Sequence, residues 1–392
     1  MKTILMIGGG VQEIAAAISV KAAGFNLAVS DRNPKSPCKK YADYFLNFDG
    51  NDSDGIVKYI QKNKKKFNIS GVFTLTELVM TVSIIAEKLN LPFTSLESSK
   101  LCQNKSLSKL AWLKDGVSTP IGAIAENQKK ATELFNKFRK DIFVKPFVGF
   151  GGIGASRIST ERDFYDFISN VDLKNYLVEE VCEGKMIDVN GYFDSDENFH
   201  PLGCFERQFS NNAIIENLGI YPFQGSNEMI QEAFNLTEAA CKSLGICWGP
   251  VKSDLVITKD GMKVFEVAPR LHGPKGTLYL TALVHKKNHL EMILPLIIGE
   301  QPNISDNLNS KKVAGFCLIN PPEKPFSEIG NLDQLNSLGY KSLIFKKQCR
   351  SVIQYLSSSD VIGYIFASAD SNLELSKKLQ RVNGIIDFKN KL

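Results

Sequence analysis

Residues 141–159 read DIFVKPFVGFGGIGASRIS. A strand-like run ends at Lys145 and Pro146. Four glycines and two phenylalanines then share the eight positions 147–154, ahead of a second short strand, ASRIS. Glycine beside a strand costs chain entropy, so such a loop must do something that side chains would obstruct. A lysine next to a mobile glycine-rich hairpin suits phosphate, because the ammonium neutralises charge while bare amides approach the oxygens. The loop is not a Walker A loop, since G-x-x-x-x-G-K-[ST] is absent, and a plain turn is the alternative reading.

Upstream of this hairpin, apolar runs alternate with helical patterns. TILMIGG is a strand, VQEIAAAISVKAAG has helical spacing, and FNLAVSD is a second strand. SDGIVKYIQKNKKKF follows as a helix capped by Ser53 or Asp54, then GVFTL as a strand and ELVMTVSIIAEKLN as a helix. This alternation predicts a doubly wound parallel sheet. Beyond residue 100 the pattern becomes α+β, with shorter strands paired antiparallel. SDLVIT-KDG-MKVFEVAP is a hairpin with Asp260 and Gly261 in its turn, and EMIQEAFNLTEAACKSLG is an amphipathic helix. From about 310, VAGFCLIN, YKSLIFK and VIGYIFAS form a small sheet closed by the helix SNLELSKKLQRVN. The expectation is three packed domains: an N-terminal Rossmann-like α/β domain over 1–98, a central α+β domain over 99–308, and a small α+β domain over 309–392.

Composition narrows the function classes. The 392 residues are 43% hydrophobic and 23% charged, an ordinary globular balance. A net charge of +5 permits anionic ligands. No basic stripe with interleaved aromatics points to nucleic acid, and QKNKKKF at 61–67 reads as the end of an exposed helix. The 8 cysteines are scattered without a C-x-x-C pair, against a zinc module or disulfide framework and for a reducing compartment. MKTILMIGGGVQE reads as a first strand and not as a secretion signal, and MILPLIIG near 292 is too short to span a bilayer. A soluble, cytoplasmic protein with no nucleic-acid or membrane partner is expected.

Three further stretches carry candidate chemistry. In GGGVQE a glycine turn could aim helix amides at an anion, and Asp31 ends the second strand as in a dinucleotide site. Glu13, however, stands where the third glycine of G-x-G-x-x-G belongs, and its carboxylate would repel a pyrophosphate. A substrate-contacting turn or a tight turn without ligand remains. In SDLVITKDGMKVFEVAPRLHGPKG, Asp254 and Glu266 lie on opposite arms at comparable distances from the turn, so both can face one side as oxygen ligands for Mg²⁺. Arg270 and His272 follow beyond Pro269, where a guanidinium could grip a carboxylate or phosphate. A surface ion pair is the alternative. In NYLVEEVCEGK, two glutamates end a strand that could present its backbone to an adenine edge, or could be an unremarkable strand end.

In this order and spacing the stretches resemble the ATP-grasp superfamily, over nearly the whole chain. NKSLSKLAWLKDGVSTP is similar to its helix with an early nucleotide-contacting lysine. FVKPFVGFGGIG is similar to the phosphate-covering loop, YLVEEVCEG to the adenine hinge, and LGICWGPVKSDLVITKDGMKVFEVAPRLHG to the metal-binding hairpin. The resemblance implies ATP and Mg²⁺, for which Mn²⁺ can substitute. It assigns Lys105 and Lys145 to phosphates under the loop of Gly151 and Gly152, and Glu179, with Glu180 beside it, to the adenine amino group. The Val181 backbone then forms the hinge, Glu183 or Asp188 reaches the ribose, and Asp254 and Glu266 bind the metal. Arg270 and Lys145 become the catalytic cations, and Gly9, Gly10, Glu13, Glu77, Arg207, Arg270 and His272 the substrate side. Departures are Ala268 where many members carry asparagine, GKM at 184–186 after the hinge, Lys252 where histidine is common and Asp254 where glutamate is.

The implied activity is ATP-dependent carboxylate–amine ligation through an acyl phosphate, releasing ADP and phosphate and using small-molecule carboxylate and amine substrates. KKYADYF and GGGVQE are loosely similar to ligases of modified amino-acid biosynthesis. VAPRLHGPKG is the argument for the alternative, a purine-type carboxylase or formyl-transfer enzyme. A non-catalytic ATP-binding protein and a nicotinamide oxidoreductase are the readings from other classes. Homodimers are common among relatives, so a homodimer is an assembly the resemblance admits.

Overall fold

The computed structural model describes residues 1–149, 152–209, 215–304, 310–353 and 360–390. Strands Thr3–Ile7, Asn26–Ser30, Tyr44–Leu46 and Ile69–Phe73 form a wholly parallel sheet in which Thr3–Ile7 lies between Asn26–Ser30 and Ile69–Phe73. Ile4, Leu5, Met6 and Ile7 are all buried, as expected of a strand covered on both faces. Helices Ile14–Ala22 and Ser53–Lys62 lie in the crossovers, and Val79–Leu89 follows the last strand. Asp52 caps the second of them, accepting from Gly55 N–H, one residue before the expected cap. The first turn, Asp31 and the segment through Glu77 therefore gather beyond the carboxyl ends of the strands, where open α/β sheets place their ligands.

The centre of the chain contributes two antiparallel sheets. The smaller has the order Gly122–Ile124, Tyr176–Glu180, Ile142–Pro146, Ser156–Ile158. Helices Gln128–Lys137 and Glu161–Asn170 cover one face, with Phe135 and Phe164 stacked at 4.2 Å. The larger has eight strands, running from the hairpin Gly249–Thr258 and Gly261–Ala268 through Lys185–Phe193, Phe199–Phe209 and Glu216–Tyr221. Val313–Leu318, Gly363–Ala369 and Lys341–Ile344 continue it edge-on, while Glu328–Gly330 and Asp387–Lys389 pair with each other in a separate two-stranded sheet. Helix Asn227–Ser243 packs behind the hairpin, and Trp112 donates to Ala240 O at 3.0 Å.

The hairpin turn is Lys259–Asp260, because Thr258 pairs with Gly261; the turn lies one residue earlier than expected. From there the ladder runs regularly to Leu255 opposite Val264, after which Phe265 is skipped and Asp254 meets Glu266. This bulge has consequences for the site.

Candidate active site

Three adjacent strands of the large sheet set carboxylates in a row. Asp254 has Glu266 as its partner on one side and Asp188 on the other. Without the bulge at Phe265, Glu266 would oppose Ser253 and point to the opposite face. Lys252, two residues from Asp254 and on the same face, lies directly across from Ala268. Its Nζ is 2.8 Å from Asp254 Oδ1 and 2.8 Å from Glu266 Oε1. Arg207 stands 3.5 Å from Asp254 Oδ2, and Lys105 stands 3.3 Å from Glu266 Oε2. Burial alone would raise both carboxyls; Lys252 outweighs it, helped by Arg207 at Asp254 and by Lys105 at Glu266, and both are held below the ordinary carboxylate range.

The oxygen-only donor pair fits a hard divalent ion of the Mg²⁺ kind. Among the described residues no group of three or more His, Cys, Asp or Glu is disposed to hold an ion, so phosphate oxygens and water must complete any coordination.

Lys105 opens helix Lys105–Lys114, where Asn104 caps the amides of Ser106 and Leu107. Besides facing Glu266, its ammonium donates to Gly149 O at 2.9 Å, tying helix, glycine loop and hairpin to one point. Lys145 lies 2.7 Å from Glu179 Oε2 and 5.7 Å from the centre of the bulged Phe265 ring. The other Glu179 oxygen is 2.7 Å from Lys109, a buried lysine absent from the expected site. Its sequence signal was its place four residues after Lys105, on the same helix face. Burial would push the Glu179 carboxyl up, but Lys145 and Lys109 together hold it down; burial in turn pulls the Lys109 ammonium down.

The remaining expected nucleotide contacts separate. Glu180 turns away from Glu179, accepting from Ile121 N–H at 2.8 Å and pairing with Lys263. Val181 directly follows this strand, and Glu183 is exposed and lies 3.0 Å from Arg157. Asp188 is not beside Glu183 in the hinge loop. It lies within strand Lys185–Phe193, fully buried, with Arg207 at 2.7 Å and His272 at 2.5 Å, and so belongs to the acidic row. Gly152 and Gly154 have φ of 76° and 75°, values that favour glycine. Gly151 lies outside the described residues.

On the substrate side Arg270 pairs with Glu77 across the sheets. Arg270 Nε, Arg207 Nε and His272 Nδ1 are buried without a hydrogen-bond partner, so this end of the cleft retains unused donor capacity. Gly9 donates its amide to Asp31 at 2.8 Å, and the amides of Glu13 and Gly10 serve the buried Glu13 carboxylate, whose pKa burial raises. Lys275 is paired with Glu216 at 2.5 Å. A surface hollow of about 730 Å³ is lined by Ser118, Asn227, Gln231 and Met262 among others and contains none of these charged groups.

The family described as ATP-grasp domain matches residues 102–274, a span that contains the lysine helix, glycine loop, hinge and bulged hairpin just described. Over that span the chain matches the ATP-grasp domain family. Its fold is shared with solved structures over the whole chain. An L-amino acid ligase from Bacillus licheniformis superposes with a TM-score of 0.82 at 18% identity, covering 100% of this chain and 99% of that one. An N5-carboxyaminoimidazole ribonucleotide synthetase from Thermotoga maritima gives 0.78 at 18% identity and 100% of both. In sequence, the chain is 28% identical over 188 residues to a 3-methyl-D-ornithine–L-lysine ligase of Methanosarcina mazei, 48% of this chain and 45% of that ligase. The match thus spans less than half of that ligase. Among the described residues no helix is long and apolar enough to cross a membrane.

Proposed function

We infer that this ATP-grasp enzyme is a carboxylate–amine ligase that phosphorylates a small carboxylate and passes the acyl group to an amine, releasing ADP and phosphate. The observation that carries the reading is Lys105, whose ammonium touches both the glycine loop at Gly149 and the acid Glu266. A triphosphate laid along that line would meet Lys145 and the loop amides on one side and the carboxylate pair on the other. Phosphoryl transfer needs positioning and charge neutralisation more than covalent help. Mg²⁺ held by Asp254 and Glu266 supplies neutralisation of the phosphate oxygens when bound. Lys105 and Lys145 hold phosphate oxygens, and the glycine loop excludes water that would hydrolyse an acyl phosphate. Arg270, anchored by Glu77, offers its guanidinium to the carboxylate that attacks phosphorus; attack of the amine on the acyl carbon then expels phosphate. Glu179, held between two ammoniums, presents the hinge to the adenine.

The filled first turn favours an amino-acid type of substrate over a phosphorylated one. Its amides at Gly9, Gly10 and Glu13 already serve the chain's own carboxylates, leaving no free cradle for a sugar phosphate. The test is nucleotide turnover against pools of amino acids, with ADP, AMP and phosphate all followed. ADP and phosphate forming only with one carboxylate and one amine is expected. Turnover that needs bicarbonate or formate with a ribonucleotide would replace this reading by the purine-type one, and absence of ATP binding would remove both.

A further inference from the structure

We propose that Lys252 is a built-in cation that takes the place of one divalent ion between Asp254 and Glu266, so that the nucleotide is bound with a single metal ion. The inference rests on the ATP-binding reading above and concerns how its charge is balanced. Two facing carboxylates carry four oxygens, enough to bridge a pair of divalent ions. Here the two inner oxygens, Asp254 Oδ1 and Glu266 Oε1, are both 2.8 Å from the Lys252 ammonium. The two outer oxygens face Arg207 at 3.5 Å and Lys105 at 3.3 Å, looser contacts than those of the inner pair.

The ammonium has little freedom to leave. The Lys252 side chain is only 5% exposed and springs from the middle of a paired strand. Directly opposite it in the ladder is Ala268, which is buried and offers no donor. A larger polar residue at 268 would compete for the volume that the lysine stem fills; alanine supplies the room. Lys252 and Ala268 thus act as one substitution, a fixed monovalent charge in exchange for a ligand and the second ion it would help hold.

Binding of Mn²⁺ to the full chain with a non-hydrolysable ATP analogue, followed by paramagnetic resonance, tests this. The wild type is expected to take one Mn²⁺ per bound nucleotide, with an uncoupled spectrum. The double variant Lys252→Met/Ala268→Asn, which removes the charge and restores a ligand opposite it, is expected to take two, with a spin-coupled signal. Two coupled ions in the wild type, or one ion in both proteins, would overturn the proposal. A second arm uses no nucleotide. In Lys252→Met the carboxylates repel each other, so the melting temperature is expected to rise with Mn²⁺ while that of the wild type stays level; a level variant that is otherwise folded overturns the proposal. Because this arm needs no ATP, loss of nucleotide binding would sink the ligase reading while the role of Lys252 is still decided.

Discussion

Glu179 separates two buried ammoniums, Lys109 and Lys145, and replacing it by glutamine would leave both charges without a counter-ion. Breaking a buried pair by removing one partner costs about 3–5 kcal/mol, so Glu179→Gln should lower the unfolding free energy by that order in urea titrations. The pH dependence follows from the same contacts. The folded carboxyls of Glu179 and Glu216 are held low, Glu179 by Lys145 and Lys109 against burial and Glu216 by Lys275 against burial. The native state then binds fewer protons than the unfolded chain in acid. Their contribution is complete above the ordinary carboxylate pKa of about 4.3 and is lost as pH falls through the lowered folded values. Stability should therefore begin to fall near pH ~4, and Glu179→Gln should flatten part of that slope. At the proposed metal pair, Glu266→Gln would remove a ligand and a partner of Lys252 and Lys105 together. Turnover should fall at least about a hundredfold, as for other single losses of transition-state charge stabilisation, and the Mg²⁺-dependent part of the ATP-induced thermal shift should vanish. An unchanged shift would contradict the metal assignment.

Among the elements, the glycine hairpin and the bulged hairpin are understood to different degrees. Gly154 combines a φ of 75° with a position where an added Cβ would lie 3.2 Å from the Tyr176 hydroxyl. Gly154→Ala should cost about 1–2 kcal/mol from the left-handed conformation, read by thermal unfolding, with a higher KM for ATP as the loop closes less well. The need for glycine there was legible in residues 141–159, because backbone freedom leaves a compositional mark. The bulge was not. Nothing in VITKDGMKVFEVA announces that Phe265 will be skipped, and comparable arm lengths do not by themselves fix which face each acid takes. Lys109 is marked in the sequence only by its spacing from Lys105, since a lysine on an amphipathic helix reads as solvated until a buried acid is found facing it.

At the scale of the molecule, the parallel sheet, the small antiparallel sheet and the hairpin meet at one cleft, and a ligand bound there stabilises all of them against unfolding. At a hundredfold excess of Mg·ATP over its dissociation constant the gain should be about 2.7 kcal/mol, visible as a rise in melting temperature. NAD should give none, because Asp31 and Glu13 occupy the amides that a pyrophosphate would need. A nicotinamide-induced rise would contradict this account of the first turn. The sheet continuity from Glu216–Tyr221 into Val313–Leu318 also means that strands beyond 310 protect an edge of the central sheet.

Local physics, written along the chain, determined the strand–helix alternation, the loop glycines, the order of the nucleotide motifs and the identity of the acids. Periodicity, capping and backbone freedom act over a few residues and so appear in the sequence directly. The tertiary structure alone decided the register that puts Glu266 opposite Asp254, the removal of Asp188 from the hinge to the acidic row, the pairing of Lys109 with Glu179, and the seat of Lys252 between two carboxylates. Each depends on which strands become neighbours and which face is buried, and a carboxylate's partner is set by a few ångströms across a sheet, whatever the separation along the chain.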